Sequence, residues 1–193
     1  MDHIQHGYLE VILGPMFSGK TSKLVEIYKQ YTFCDIPVMV INHQEDQRYS
    51  NSSMVTHDQV EIACIQSDSL VSVINENLSL FQGKPFAILI NEGQFFPDLY
   101  KAVYDMVFTY KMHVFVAGLD GDFQQKKFGD MLDLIPICDK VYKLQSLCVN
   151  CKNGTKAIFS HRINKANHEQ KMVGASESYI PICRKCNYNE NYS

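Results

Sequence analysis

No apolar run in this chain of 193 residues approaches the roughly 20 residues that a membrane-spanning helix needs. There is no net positive charge either. The formal net charge is −3, so no overall basic field exists for nucleic acid or for an acidic membrane surface. The opening MDHIQHGYLEV has no basic region and no long apolar stretch, which excludes a secretory signal there. A reducing, cytoplasmic setting is therefore expected, and the Asn-x-Ser/Thr sequons at Asn51, Asn77, Asn153 and Asn191 are chance matches in it. Internal repeats are absent. An even cysteine count is absent too: the total is seven, which argues against a disulfide framework.

What is present is ordinary globular composition, 46% hydrophobic and 20% charged, enough for one medium domain with a small appendage. The most informative stretch is Gly14-Pro15-Met16-Phe17-Ser18-Gly19-Lys20-Thr21. It fits G-x-x-x-x-G-K-[S/T], follows an apolar strand pattern (Tyr8 to Leu13), and precedes a helix pattern from Lys20. Loop N–H groups and a helix N-terminus make a cradle for phosphate oxygens. Lys20 would neutralise phosphate charge and the Thr21 hydroxyl would ligate Mg²⁺.

Strand and helix patterns alternate through residue 143. Strands are expected at Val38 to Ile41, Val60 to Ile65, Phe86 to Ile90 and His113 to Ala117. Helices are expected after the phosphate loop, from a cap at Ser67 or Asp68 to about Phe81, and from Pro97 to about Lys111. The apolar runs FAILI and HVFVA suit central strands buried on both faces. The expected fold class is α/β: a parallel sheet of the phosphate-loop NTPase type with helices on both faces. Loops 14–21, 91–96 and 118–129 then fall on one edge, where such sheets bind ligands. Residues 144–193 read as a second, smaller unit with few helix signals.

That smaller unit carries Cys148/Cys151 and Cys183/Cys186. Two Cys-x-x-Cys pairs suit a closed, tetrahedral, structural Zn²⁺ site; redox dithiols or an iron–sulfur cluster are the alternatives. The 31 residues from Lys152 to Ile182 exceed the about 15–20 of a simple zinc ribbon, so the pairs bracket a long insertion. Glu92, at the end of FAILI, can serve as a general base or hold the Mg²⁺ water shell, against the bland reading of an exposed strand-end carboxylate. Arg48 can clamp a phosphoryl group or be a surface charge. Phe95, Phe96, Phe123 and Phe128 can sandwich a planar base or belong to the core.

GPMFSGKT, DQRYS (46–50), THD (56–58), EGQFFPD (92–98), GLDGDFQQKKFG (118–129), AIFSHR (157–162) and the two cysteine pairs occur in that order. Together they resemble the zinc-containing thymidine kinase family over residues 7–188. The resemblance implies transfer of the γ-phosphate of ATP to the 5′-hydroxyl of thymidine. It implies that Glu92 is the catalytic base and Arg48 a phosphate-side arginine. Gly14 to Thr21 would hold ATP, with Thr21 and Asn91 associated with Mg²⁺. Met16, Phe95, Leu119, Phe123, Phe128, Ser160 and Tyr179 would enclose thymidine. Residues from about Ser160 to Tyr179 would form a lasso-like lid, with zinc anchoring both ends. It further implies a homotetramer, inhibition by thymidine triphosphate, and a host cytoplasm if the source is viral.

Two positions depart from the family pattern. Asn91 stands where aspartate is common, which predicts weaker Mg²⁺ binding. Asp122 stands where threonine is frequent, adding a negative charge near the phosphate edge. The competing reading is a zinc-ribbon nucleic-acid-binding ATPase module. The segment 143–193 is mildly basic, with Lys143, Lys152, Lys156, Arg162, Lys165, Lys171, Arg184 and Lys185 against Glu169, Glu177 and Glu190, but the whole chain is not.

Overall fold

Apolar residues alternate so strictly along the strands that two separate cores form, one on each face of a single sheet. The computed structural model describes residues 6–44, 53–55, 61–81, 85–163 and 178–192. Its first part contains β1 (Tyr8–Leu13), α1 (Lys20–Phe33), β2 (Val38–His43), β3 (Ser53–Val55), β4 (Glu61–Ala63), β5 (Ile65–Ser67), α2 (Leu70–Asn77), β6 (Ala87–Asn91), α3 (Leu99–Tyr104), β7 (His113–Gly118) and β8 (Lys140–Lys143). The main sheet has six strands in the order β5-β2-β6-β7-β1-β8, and its neighbouring strands run parallel. Leu9, Val11, Ile88, Ile90, Val114 and Val116 face α2 and α3, packing with Leu70, Val73, Leu99 and Val103. The intervening Ile12, Leu89, Phe115 and Ala117 face α1, packing with Leu24, Val25 and Ile27. Period-two burial on both faces is what a helix-covered parallel sheet requires.

The expected strands and helices are present, with boundaries moved for identifiable reasons. β2 runs two residues past Ile41 because Asn42 pairs with Asn91 and His43 with Ser67. The expected strand over Val60 to Ile65 is two: β4 folds back antiparallel on β3, while β5 joins the main sheet beside β2. Period-two alternation identifies a strand but not its partner. The cap of α2 is Ser69 rather than Ser67 or Asp68. Its Oγ accepts from Ser72 N at 3.3 Å, and the helix gives way after Asn77 to a tighter turn over Leu78–Phe81.

The third helix starts at Leu99, not at Pro97. Asp98, just before it, sends its carboxylate across to α2, accepting from Ser69 Oγ at 2.8 Å, Leu70 N at 3.2 Å and Val71 N at 2.9 Å. One residue thus satisfies orphan N–H groups of a neighbouring helix. Past Tyr104 the helix widens into a π turn over Asp105–Thr109.

The remaining chain forms β9 (Ser146–Leu147), β10 (Lys156–Ala157), β11 (Phe159–Arg162), β12 (Tyr179–Ile182) and α4 (Arg184–Tyr192). β9 pairs with β10 and β11 with β12, both antiparallel. Among the described residues its buried core members are Cys148, Ala157, Ile182 and Cys183. None of the described helices is long and apolar enough to cross a membrane.

Asp98→Ala removes acceptors from the first turn of α2. It should lower the unfolding free energy by about 2 kcal/mol, read as a reduced midpoint in urea with an unchanged slope. A midpoint equal to that of the parent protein would show that α2 does not depend on this cap.

Candidate active site

β1, β6 and β7 run side by side in one direction, so the turns after Leu13, Asn91 and Gly118 emerge at the same edge. The loop after β1 is tightly constrained. A Cβ on Gly14 would lie 2.7 Å from Ser18 Oγ and 2.8 Å from Leu144 O, so no side chain fits there. Gly19 takes the left-handed conformation and heads α1 without any side-chain cap. The first-turn N–H groups of α1 are therefore not taken by a capping side chain, which suits an anion. Ser18 Oγ is buried with no hydrogen-bond partner among the described residues. Lys20 is only 9% exposed, and its Nζ donates to Pro15 O at 2.9 Å, folding the ammonium across the loop. Thr21 sits in the first turn, half-buried. A polar atom without a partner, a buried ammonium and helix N–H groups together fit a bound polyphosphate.

Glu92 follows β6 in the left-handed region, φ 55° and ψ 40°, where a non-glycine residue is held only by its surroundings. Those surroundings are visible. Gln94 Nε2 donates to Glu92 Oε2 at 2.6 Å, while Gln94 Oε1 accepts from Leu119 N at 2.9 Å. One buried amide therefore fixes the carboxylate after β6 against the turn after β7. A Cβ on Gly129 would lie 2.4 Å from Gln94 O, so the far end of the 118–129 loop also closes on this residue. Sequence reading did not single out Gln94. The available signal was an amide between apolar neighbours, two positions after the carboxylate.

Asn91 is 1% exposed. Its Nδ2 donates to Asn42 Oδ1 at 2.8 Å, and Asn42 Nδ2 donates to Gln66 Oε1 at 3.3 Å. Asp122, left without an account by its sequence, is a turn former. Its Oδ1 accepts from Gln124 N at 2.8 Å and Lys126 N at 2.9 Å, and its own N donates to Lys126 O at 2.9 Å. A carboxylate that accepts two backbone N–H groups is solvated by the loop itself.

The aromatic candidates divide. Phe128 is 6% exposed and stands edge-on behind Phe95, with ring centroids 5.5 Å apart. Phe96 is core. Phe95, Leu119, Phe123 and Tyr179 are half-buried and can present faces to a ligand. Ser160, expected beside a nucleobase, accepts through Oγ from Met16 N at 2.9 Å, which joins β11 to the phosphate loop. Arg162, two residues on, was given no role by the sequence reading, yet it is 2% exposed and touches both Phe123 and Tyr179. Arg48 lies outside the described residues, as do residues 164–177 of the expected lid.

The four paired cysteines converge. Their sulfurs lie within 4.8 Å of one another, with Cys151 Sγ 3.8 Å from Cys183 Sγ and 3.5 Å from Cys186 Sγ. Zn–S bonds of about 2.3 Å in a tetrahedron place sulfurs about 3.8 Å apart, so the cluster fits Zn²⁺. Burial raises the Cys148 thiol, but backbone N–H groups of Cys183, Cys151 and Asn150 outweigh it and bring the thiol down to about 6. Cys183 N donates to Cys148 Sγ at 3.3 Å.

Comparison with known proteins follows the same outline. The family model described as "Thymidine kinase" matches residues 7–187. A thymidine kinase of sheeppox virus is 37% identical over 97% of this chain and 100% of its own length. A thymidine kinase of Bacteroides thetaiotaomicron is 39% identical over 96% of this chain and 91% of its own. The chicken protein named "Thymidine kinase, cytosolic" is 33% identical over 95% of this chain and 78% of its own.

Metal analysis of the purified protein should give about one Zn²⁺ per chain, and Cys183→Ser should abolish its retention through dialysis. Absence of zinc, or a visible iron–sulfur absorbance in its place, would overturn the structural-zinc assignment.

Proposed function

The chain belongs to the thymidine kinase family, and from that premise we propose that it transfers the γ-phosphate of ATP to the 5′-hydroxyl of thymidine, giving thymidine monophosphate. The observation that supports it best is the Glu92 carboxylate, fixed by Gln94, at the same sheet edge as the Gly14–Thr21 loop. The matched relatives give no support to the nucleic-acid-binding ATPase alternative.

In this reading Glu92 takes the proton from the 5′-hydroxyl as that oxygen forms its bond to the γ-phosphorus. The bond from the γ-phosphorus to the bridging oxygen breaks, leaving ADP. Loop N–H groups and Lys20 hold the phosphates and stabilise charge on the transferred group. Lys20 would exchange its contact with Pro15 O for phosphate oxygens. Arg48 would add a second cation. Thr21 would hold Mg²⁺, which supplies charge neutralisation on the polyphosphate, with Asn91 offering its side-chain oxygen nearby. Met16, Phe95, Leu119, Phe123, Phe128, Ser160 and Tyr179 would form or support the nucleoside site. A small niche at Met16 would accept the thymine methyl, a difference worth roughly 1–3 kcal/mol, so deoxyuridine would be a weaker substrate. A homotetramer, inhibition by thymidine triphosphate and a cytoplasmic setting belong to the same proposal.

A coupled assay of ADP formation should show turnover that requires thymidine and is indifferent to single-stranded DNA. Glu92→Gln should lower kcat about 10²–10⁴-fold with ATP affinity retained. DNA-stimulated turnover without thymidine would overturn the reading.

Asn91→Asp should lower the Mg²⁺ concentration that gives half-maximal rate. An unchanged Mg²⁺ dependence would exclude a metal role for this position.

A further inference from the structure

β11 and β12 are paired so that Arg162 lies directly opposite Tyr179. The guanidinium Nε donates to the Tyr179 phenol oxygen at 2.9 Å, and a terminal guanidinium nitrogen donates to the same oxygen. The guanidinium carbon also sits 3.8 Å from the centroid of the Phe123 ring, within cation–π range. Arg162 is 2% exposed, whereas Phe123 and Tyr179 are both half-buried. A buried cation therefore stands behind two partly exposed aromatic faces that come from distant parts of the chain, the loop after β7 and the strand before Cys183.

This arrangement has a directional consequence. A phenol carries one O–H donor and two acceptor lone pairs. With its oxygen accepting from the guanidinium, the single Tyr179 proton is turned away from Arg162 and can be donated to another acceptor. Phe123, meanwhile, has the guanidinium over its ring and is half-buried, so it can offer an apolar surface. Two residues earlier on the same strand, Ser160 holds Met16 N, so β11 ties the nucleoside walls to the phosphate loop.

We propose that Arg162 is a positioning residue for the acceptor substrate: it orients Tyr179 as a hydrogen-bond donor and fixes Phe123 as a stacking wall, selecting a planar heteroaromatic ligand that bears a hydrogen-bond acceptor. The proposal rests on the kinase reading above and deepens it. Lysine cannot replace arginine here, because a single ammonium lacks the planar fork that stacks and donates at once.

The test is steady-state kinetics of Arg162→Lys, Arg162→Met, Tyr179→Phe and the Arg162→Lys/Tyr179→Phe double variant, with zinc content and thermal midpoint measured for each. Arg162→Lys should keep its zinc and raise the KM for thymidine on the order of tenfold, while the KM for ATP stays within about twofold. Tyr179→Phe should also raise the thymidine KM. In the double variant the two effects should fall well short of multiplying, since both act through one hydroxyl. If Arg162→Met does not fold, the lysine variant and the cycle decide. An unchanged thymidine KM in Arg162→Lys, an equal rise in both KM values, or fully multiplicative effects would overturn the proposal. A parent protein without thymidine-dependent turnover would instead overturn the kinase reading, and this inference with it.

Discussion

The parallel register of β1, β6 and β7 is the constraint on which the rest depends. Helices cover both faces of the sheet, so the strands carry mainly apolar residues between their ends; the exception is Glu10 in β1, a buried carboxylate that accepts from Tyr8 Oη at 2.7 Å. Chemistry is thereby driven to the carboxyl edge, where the Gly14–Thr21 loop, Glu92 and the 118–129 loop emerge together. Gln94 then converts proximity into geometry. Its amide bonds Glu92 on one side and Leu119 N on the other, and the close approach of Gly129 leaves it little freedom. The left-handed backbone at Glu92 is the strain that this packing sustains.

The C-terminal region has a different source of order. Among the described residues its buried core is Cys148, Ala157, Ile182 and Cys183, a small apolar cluster in which two members belong to the four-cysteine group. Metal coordination by the four cysteines would add folding free energy there. The same staple would anchor the end of the β11–β12 pair where Phe159 lies opposite Ile182, and that pair carries Ser160, Arg162 and Tyr179. A structural metal would therefore reach the site indirectly. It would hold the strand whose side chains touch Met16, Phe123 and Tyr179, and nothing in that linkage requires it to approach a substrate.

Much of this was legible in the sequence because the relevant signals are local. GPMFSGKT is contiguous, FAILI and HVFVA are continuous apolar runs, and each Cys-x-x-Cys pair is four residues long. The misplaced boundaries share one cause: a partner distant in sequence. Asp98 caps α2 instead of its own helix, and the expected Val60 to Ile65 strand divides because its halves pair with different neighbours. Gln94 and Arg162 went unassigned for the same reason. Their roles exist only once the turn after β7 and the strand β12 are brought against them. Asp122 shows the opposite failure, since its charge was weighed against distant phosphates when its carboxylate also accepts from residues two and four positions on.

Asn91 is where sequence and structure qualify each other most. The family pattern makes the side chain there a matter of metal charge. In the fold, buried Asn91 and Asn42 and half-buried Gln66 form a ladder of neutral amides across three adjacent strands. Neutral amides bear burial well when each donor has an acceptor, and Asn91 spends its N–H on Asn42. A carboxylate at 91 would have no proton for Asn42 Oδ1, so Asn42 would have to turn its own N–H₂ toward it and leave Gln66. The residues at 42, 66 and 91 therefore form a set. The side chain at 91 is thus set by its neighbours at 42 and 66 as well as by anything bound at the sheet edge.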